Sequence, residues 1–505
     1  MSGYLLSMLV FSPLVGIAIL ALLPKHNEKQ IKLVGFLATL LPLLLSFIVY
    51  GSFTNNAEGS QFIEKHKWLA FGDSDLPIQQ LVINYELGLT GLSLVLVLLT
   101  AVVSTLAAIA SIHIKKEWKG YFMLFLLLEL GMLGVFSSEN LLLFFVFFEL
   151  TLVPMFFLIG KWGYDEKERA AYSFLIYNGL GSAILLIAFA ALFVKTGTLN
   201  INELVEVMAL PNDQLAYYGI SEGFRFGIAT ALLIAFGVKL PIFPLHSWML
   251  RVHVQAPPAI VMIHSGILLK IGAYGLIRLG MGVFPEEFQS MAVVLAVLGV
   301  INLLYGAFLA LIQTDFKMVL AYSSISHMGI VLIGLGAMNE SGIQGAIFRV
   351  ISHGLISALL FFLIGVMYER VGTSRIDKLS GLAKVMPITA GFLLAGAMAS
   401  LGLPGMSGFV SEFMAFLGLF GTMPGIAAVG ALGIILTAAY LLRAVLNVTF
   451  GKTAADYESA IDIRPIEMVP VIVLLAFIIL IGVYPNILVQ SLQATLETIL
   501  IGIGG

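Results

Sequence analysis

The chain has 505 residues, of which 60% are hydrophobic and only 11% charged, whereas a soluble domain carries about a quarter charged residues. With a mean hydropathy of +1.03, this composition excludes a water-soluble enzyme, and a net charge of -3 without a basic stripe excludes nucleic acid as a partner. Cysteine is absent, which removes disulfides and thiolate ligands for iron-sulfur clusters, so electron transfer belongs to other chains.

The longest polar interruptions, 54–86 and 196–224, are loop-sized, and one membrane domain over 1–505 is expected. The first apolar stretch, 4–23, lacks a basic start and an A-x-A site and reads as a retained helix. A window of about 19 residues then places spans at 31–53 and 87–113, completing an N-terminal group of three within 1–113. Spans at 119–136, 139–160, 171–195, 225–248 and 257–283 follow, then 286–311, 316–338, 343–368, 386–420 and 424–450, and a last one at 466–490. The expectation is an all-α integral membrane protein of about fourteen transmembrane helices.

Lysine and arginine follow the odd-numbered spans: Lys25, Lys29 and Lys32, then Lys115, Lys116 and Lys119, then Lys161, Lys167 and Arg169, and further on Arg251, Lys317, Arg370, Arg375, Lys378, Lys384, Lys452 and Arg464. The opposite loops hold little beyond Lys65 and Lys67 and carry acids such as Asp73, Asp75 and Glu222. By the positive-inside rule the odd-to-even connections are cytoplasmic and both termini lie outside, in a cell or other energy-transducing membrane.

Two spans are not plain helices. The seventh contains Lys239-Leu-Pro-Ile-Phe-Pro-Leu-His246, whose prolines remove backbone donors near mid-span; the twelfth contains Leu401-Gly-Leu-Pro-Gly-Met-Ser-Gly-Phe409. Breaks five spans apart predict two repeats, 119–283 (spans 4 to 8) and 286–450 (spans 9 to 13), inverted because five is odd. Transporters of that design hold ions at such breaks; a packing kink is the plainer alternative.

A charge at mid-bilayer costs at least ~3 kcal/mol on insertion scales, so it faces the interior and marks a pathway. Glu149, in Phe147-Phe-Glu-Leu-Thr-Leu, has no apolar role; Lys239 immediately precedes the first break; Lys270 sits within the eighth span; Glu412 lies just beyond the second break. Glu129 in the fourth span is a further candidate for the charge network, and His327 and His353 in the tenth and eleventh spans are either relay groups or hydrogen-bonded core histidines. His264 has no role that the residues suggest, and Arg278, Arg349 and Arg443 read as snorkelling or structural. A Glu149–Lys239 pair either loads and empties a proton as its separation changes, or is a static ion pair between helices. From Lys270 the proton would pass to the histidines and then to Glu412.

Phe147-Phe-Glu-Leu-Thr-Leu-Val-Pro-Met-Phe-Phe-Leu-Ile-Gly, Gly237-Val-Lys-Leu-Pro-Ile-Phe-Pro-Leu-His-Ser-Trp, Leu268-Leu-Lys-Ile-Gly-Ala-Tyr-Gly and Asp315-Phe-Lys-Met-Val-Leu-Ala-Tyr-Ser-Ser-Ile-Ser-His-Met-Gly resemble the antiporter-like subunits of respiratory complex I and of multisubunit cation/proton antiporters. In that family the matching residues imply a charge pair for Glu149 and Lys239, a bridge to a central axis for Lys270, and the end of the path for Glu412. Glutamate rather than lysine at 412, and an end soon after the last span, resemble the M-type (chain 4) branch. The resemblance implies proton export coupled to quinone reduction, with NADH or another donor, flavin, iron-sulfur clusters and quinone in partner subunits, no cofactor or metal here, and L-like and N-like membrane neighbours. The rival reading is a sodium/proton antiporter subunit, with a carbon-uptake scaffold and a solute carrier further off. Trp248-Met-Leu-Arg-Val-His-Val-Gln-Ala-Pro-Pro258 departs from the family's pattern at Arg251 and Gln255, which puts the inner proton inlet in doubt.

Overall fold

The computed structural model describes residues 2–55, 59–71, 81–453, 457 and 459–504; Asp73 and Asp75 lie outside them. Among the described residues, 12 helices are long and apolar enough to cross a membrane. The seventh and twelfth spans are each split in two, Glu222–Lys239 with Ser247–Gln255 and Pro387–Ser400 with Ser407–Thr422. Both pairs fall within spans expected from the sequence, and apolar side chains such as Leu37, Ile176, Leu180, Ile187 and Ile435 cover the outer faces.

The all-α expectation needs one addition. Gln61–Phe71 (β1) and Leu81–Leu89 (β2) pair as an antiparallel hairpin, so the third helix begins at Gly91 rather than near 87. Alternation in Leu81-Val-Ile-Asn-Tyr-Glu-Leu-Gly-Leu89 is strand-like, and hydropathy alone merges it with the helix that follows. The hairpin is tied to the first span, Leu5–Leu22. The buried Glu64 carboxylate accepts hydrogen bonds from the Leu6 (2.7 Å) and Ser7 (3.2 Å) amides, placing negative charge on orphan donors at a helix N-terminus. At the other end the fourteenth span runs only Pro465–Val483; the chain turns at Tyr484-Pro485 and forms another helix, Asn486–Gly502. The turn falls at a proline, which cannot continue the hydrogen-bond ladder.

Position within the bundle differs sharply between helices. The hydrophobic segments of the eighth (Pro258–Met281) and eleventh (Glu340–Val371) spans are wholly buried. The tenth (Phe316–Gly336) and third (Gly91–Ala110) are nearly so, while the second, thirteenth and fourteenth lie at the periphery. Lys270, His327 and His353 therefore stand on the innermost helices.

The first break is stitched from outside its own helix. Asn302 of the ninth span (Ala292–Ile312) accepts from the Phe243 amide (2.7 Å) and donates to the Pro241 carbonyl (3.2 Å). One amide side chain thus satisfies a donor and an acceptor that the prolines set free, as hydrocarbon surroundings require. At the second break Gly402 and Gly405 have positive φ. A Cβ on Gly402 would sit 2.6 Å from Glu412 Oε2, so glycine is what lets that carboxylate lie against the broken backbone.

The unusual 248–258 segment is the second half of the seventh span and its turn. The Gln255 carbonyl accepts from the Tyr164 amide (2.8 Å) and its side-chain oxygen from the Glu166 amide (3.0 Å). Gln255 thereby anchors the connection between spans five and six, while Arg251 is exposed.

Candidate functional site

Lys239 ends the first half of the seventh span because the helix stops at the proline pair that follows. It is buried, with its ammonium 4.5 Å from the Phe148 ring centroid and 5.9 Å from that of Phe174. Aromatic faces give a desolvated ammonium partial compensation. Among the described residues Glu149, on the fifth span (Leu141–Trp162), is the charged side chain that acts electrostatically on it. They form no direct hydrogen bond: Glu149 Oε1 is buried without a partner.

Next in space comes a pair of histidines. His253 Nε2 lies 2.9 Å from His264 Nδ1, both rings are buried, and the outer nitrogens, His253 Nδ1 and His264 Nε2, have no partner. His264 is within electrostatic reach of both Lys239 and Lys270, and its ring packs on Phe174 and Trp248. The histidine pair thus occupies the interval between the two lysines.

Lys270 is fully buried, in a helical stretch flanked by wider π-type turns at His264–Leu268 and Leu276–Met281; such turns recur at functional sites. Its Nζ donates to His353 Nδ1 at 2.6 Å. The His353 and His327 ring centroids are 5.7 Å apart. A void of about 10 Å³ lined by Ser323, Ser324, Ser357 and Ser400 borders both rings, close to the room one water needs. His327 Nε2 lies 3.1 Å from Ser400 Oγ, and Arg349 Nη2 donates to its Nδ1. Arg349 Nη1 is 3.0 Å from Glu412 Oε1.

These contacts bring six of the seven candidate side chains into one row: Glu149, Lys239, the His253–His264 pair, Lys270, His353, His327, Arg349 and Glu412. Glu129 stands apart. It is fully buried, neither carboxylate oxygen has a hydrogen-bond partner, and among the described residues no charged side chain acts on it.

Three members were not identified from the sequence. Arg349 does not snorkel; it is 1% exposed and joins His327 to Glu412. The signal was its place inside an apolar span, about two to three turns from the helix start and four residues before His353. His253 and His264 are eleven positions apart across the Pro257-Pro258 turn, a separation that becomes a contact only when the seventh span is broken and folded against the eighth. Arg278 does not snorkel either; it pairs with buried Glu139 at 2.9 Å.

In chemical terms the row combines groups able to gain or lose a proton with one fixed cation. Neutral imidazole both donates and accepts, so Lys270 and His353 can exchange a proton along their hydrogen bond, with the His327 ring and the small void beside it beyond. Arg349 stays protonated and serves as a fixed counter-charge for Glu412. Among the described residues there is no cluster of ligands that could hold a metal ion.

Comparison with known proteins places the chain in a family. The family described as NADH:quinone oxidoreductase/Mrp antiporter, TM, matches residues 138–437, which include every row residue. NAD(P)H-quinone oxidoreductase chain 4 2 of Thermosynechococcus vestitus is 40% identical over 506 residues, covering 98% of this chain and 91% of that one. NADH-quinone oxidoreductase subunit M of Rhodobacter capsulatus is 35% identical over 514 residues, covering 98% of each. Among solved structures, a chain of respiratory complex I from Thermus thermophilus with bound NADH superposes with a TM-score of 0.84 at 29% identity, covering 99% of this chain and all of that one.

Proposed function

Since the chain belongs to the membrane family shared by NADH:quinone oxidoreductases and Mrp antiporters, we propose that it is the proton-translocating M-type subunit of an NADH-quinone oxidoreductase, coupling quinone reduction elsewhere in the complex to proton export. The single observation that carries this reading is the unbroken sequence of contacts Lys270–His353–His327–Arg349–Glu412 across the buried centre of the bundle. A row that runs from helix to helix is suited to passing a charge signal between neighbouring subunits as well as a proton.

Glu149 and Lys239 form the receiving element. When a neighbour draws Glu149 away, the buried ammonium loses its counter-charge and gives up its proton; when Glu149 returns, Lys239 reloads. The histidine pair separates this element from Lys270, which hands the proton to His353. Glu412 ends the row, its glutamate favouring the quinone-linked complex over a sodium/proton antiporter. Glu129 lies off this line as a further buried carboxylate. The partners are L-like and N-like membrane subunits, and the electron donor, flavin, iron-sulfur clusters and quinone lie in other subunits. Both termini face outward.

The experiment is Lys239→Ala in the assembled complex, with quinone-dependent electron transfer and proton uptake followed in the same vesicles. Assembly at the wild-type level with proton uptake lost supports the reading. Full proton uptake with normal assembly reduces Glu149–Lys239 to a static pair and sinks it.

A further inference from the structure

Beyond the row, one face of the eighth span leads away from the bundle centre. Tyr274 follows Lys270 by one helical turn, about 6 Å along the axis and on the same face. Its phenol is buried with its oxygen 3.0 Å from Ser93 Oγ. Thr90 Oγ1 in turn lies 3.1 Å from Ser93 Oγ. Thr90 lines a cavity of about 250 Å³ on the hairpin side of the molecule, together with Gly59, Asn202, Glu206, Arg278 and Thr498. Tyr274, Ser93 and Thr90 thus make a continuous chain of three hydroxyls from the turn beyond Lys270 to a cavity bordered by polar and charged side chains on part of its wall.

The far end is charged. Glu139 is buried and accepts from Arg278 (2.9 Å), Asn202 (3.3 Å) and Ser60 (2.6 Å). Arg278 stands beside the Tyr274 phenol, and its Nε is buried without a partner. A structural reason explains a buried Arg–Glu pair, but it does not explain why three hydroxyls on two different helices line up between that pair and a buried lysine.

We propose that Tyr274, Ser93 and Thr90 form an outlet carrying protons from Lys270 to the hairpin-side cavity, with Glu139 supplying the negative charge at its end. The inference rests on the proton-translocating reading above and adds a route out of the row. Lys270 now donates to His353; swinging its flexible stem toward Tyr274 breaks that bond and presents the ammonium to the phenol. An N–H bond of Lys270 then breaks as an O–H bond forms on Tyr274. The phenol's own proton passes to Ser93, that of Ser93 to Thr90, and that of Thr90 to water in the cavity. Each hydroxyl loses one proton and gains one, so none carries net charge at the end, and Lys270 is left neutral for reloading. Each hydroxyl both donates and accepts, as this relay requires.

The test uses the assembled complex in vesicles and reads the ratio of protons taken up to electrons transferred. Tyr274→Phe and Ser93→Ala each interrupt the chain and are expected to lower the ratio as far as Lys270→Ala does, while Ser93→Thr, which keeps the hydroxyl, retains it. A full ratio in Tyr274→Phe beside a lowered ratio in Lys270→Ala overturns the outlet and leaves the row intact. A full ratio in Lys270→Ala removes the proton-translocating reading and the outlet with it. Equal loss in Ser93→Thr and Ser93→Ala makes Ser93 a packing residue and likewise overturns the proposal.

Discussion

Glu412→Gln offers a quantitative check on the end of the row. Arg349 is 1% exposed, and its guanidinium lies between His327 and Glu412. Neutralising Glu412 leaves a buried cation without its counter-charge, and removal of one partner of such a pair costs about 3–5 kcal/mol. Glu412 is slightly accessible beside the second break, so the lower figure applies, about a hundredfold in the folding equilibrium. Removing both charges, Arg349→Met with Glu412→Leu, eliminates the orphaned cation. What remains is a lost hydrogen bond at His327, about 1 kcal/mol. The assay is a titration of the purified chain from mixed micelles into SDS, read by fluorescence of its 4 tryptophans. The single variant is expected to unfold well before wild type and the double variant close to it, although both lose proton uptake in the complex. A single variant as stable as wild type, or a double variant as unstable as the single, refutes the pairing argument.

Other expectations follow from particular contacts. A Cβ on Gly272 would lie 2.6 Å from the Leu240 amide nitrogen and 2.7 Å from the Phe236 carbonyl oxygen; since backbone cannot yield cheaply, Gly272→Ala should cost about 1–3 kcal/mol and lower proton uptake more than assembly, read by comparing the two. Asn302→Leu strands the Phe243 amide and the Pro241 carbonyl at the first break, with a loss of at least ~1–3 kcal/mol visible in the same SDS titration; unchanged stability would mean the break is satisfied some other way. Asp462 caps the first half of the twelfth span, accepting from the Ile388 (2.8 Å) and Thr389 (3.1 Å) amides and the Thr389 hydroxyl (2.6 Å). Partial burial pushes its carboxyl up, but the bonds from Thr389, Ile388 and Ile463 outweigh that and hold it below the usual aspartate value. A depressed pKa contributes stability above the unfolded value of about 3.9 and loses it as pH falls through the folded one. Asp462→Asn should therefore destabilise by about 1 kcal/mol at neutral pH, a difference that shrinks in acid.

Spans and breaks were legible because they rest on local rules: apolar length, proline's missing donor, and the alternation of lysine and arginine between loops. The buried charges were legible for the same reason, since Glu149, Lys239, Lys270 and Glu412 each interrupt an apolar run. Pairing was not. Nothing near Arg349 in sequence predicts that His327 and Glu412 flank it, because those contacts cross three helices. The hairpin escaped because Leu81–Leu89 is apolar enough to merge with the helix after it, and the role of Asn302 escaped because a lone asparagine in a membrane span has many possible partners. Glu129 shows the converse: an isolated carboxylate in an apolar run is conspicuous in sequence whether or not anything charged stands beside it.

The close seating of Gly272 on the backbone at Phe236 and Leu240 fixes more than a helix crossing. Lys239 sits on the segment being touched and Lys270 two residues from the glycine, so the backbones that carry the two lysines are mounted on what amounts to one rigid bracket. The backbone at the two positions is held at one spacing, while each side chain stays free to turn toward its own partners. Movement of the broken seventh span is thereby handed to the helix that carries Lys270 by direct backbone contact.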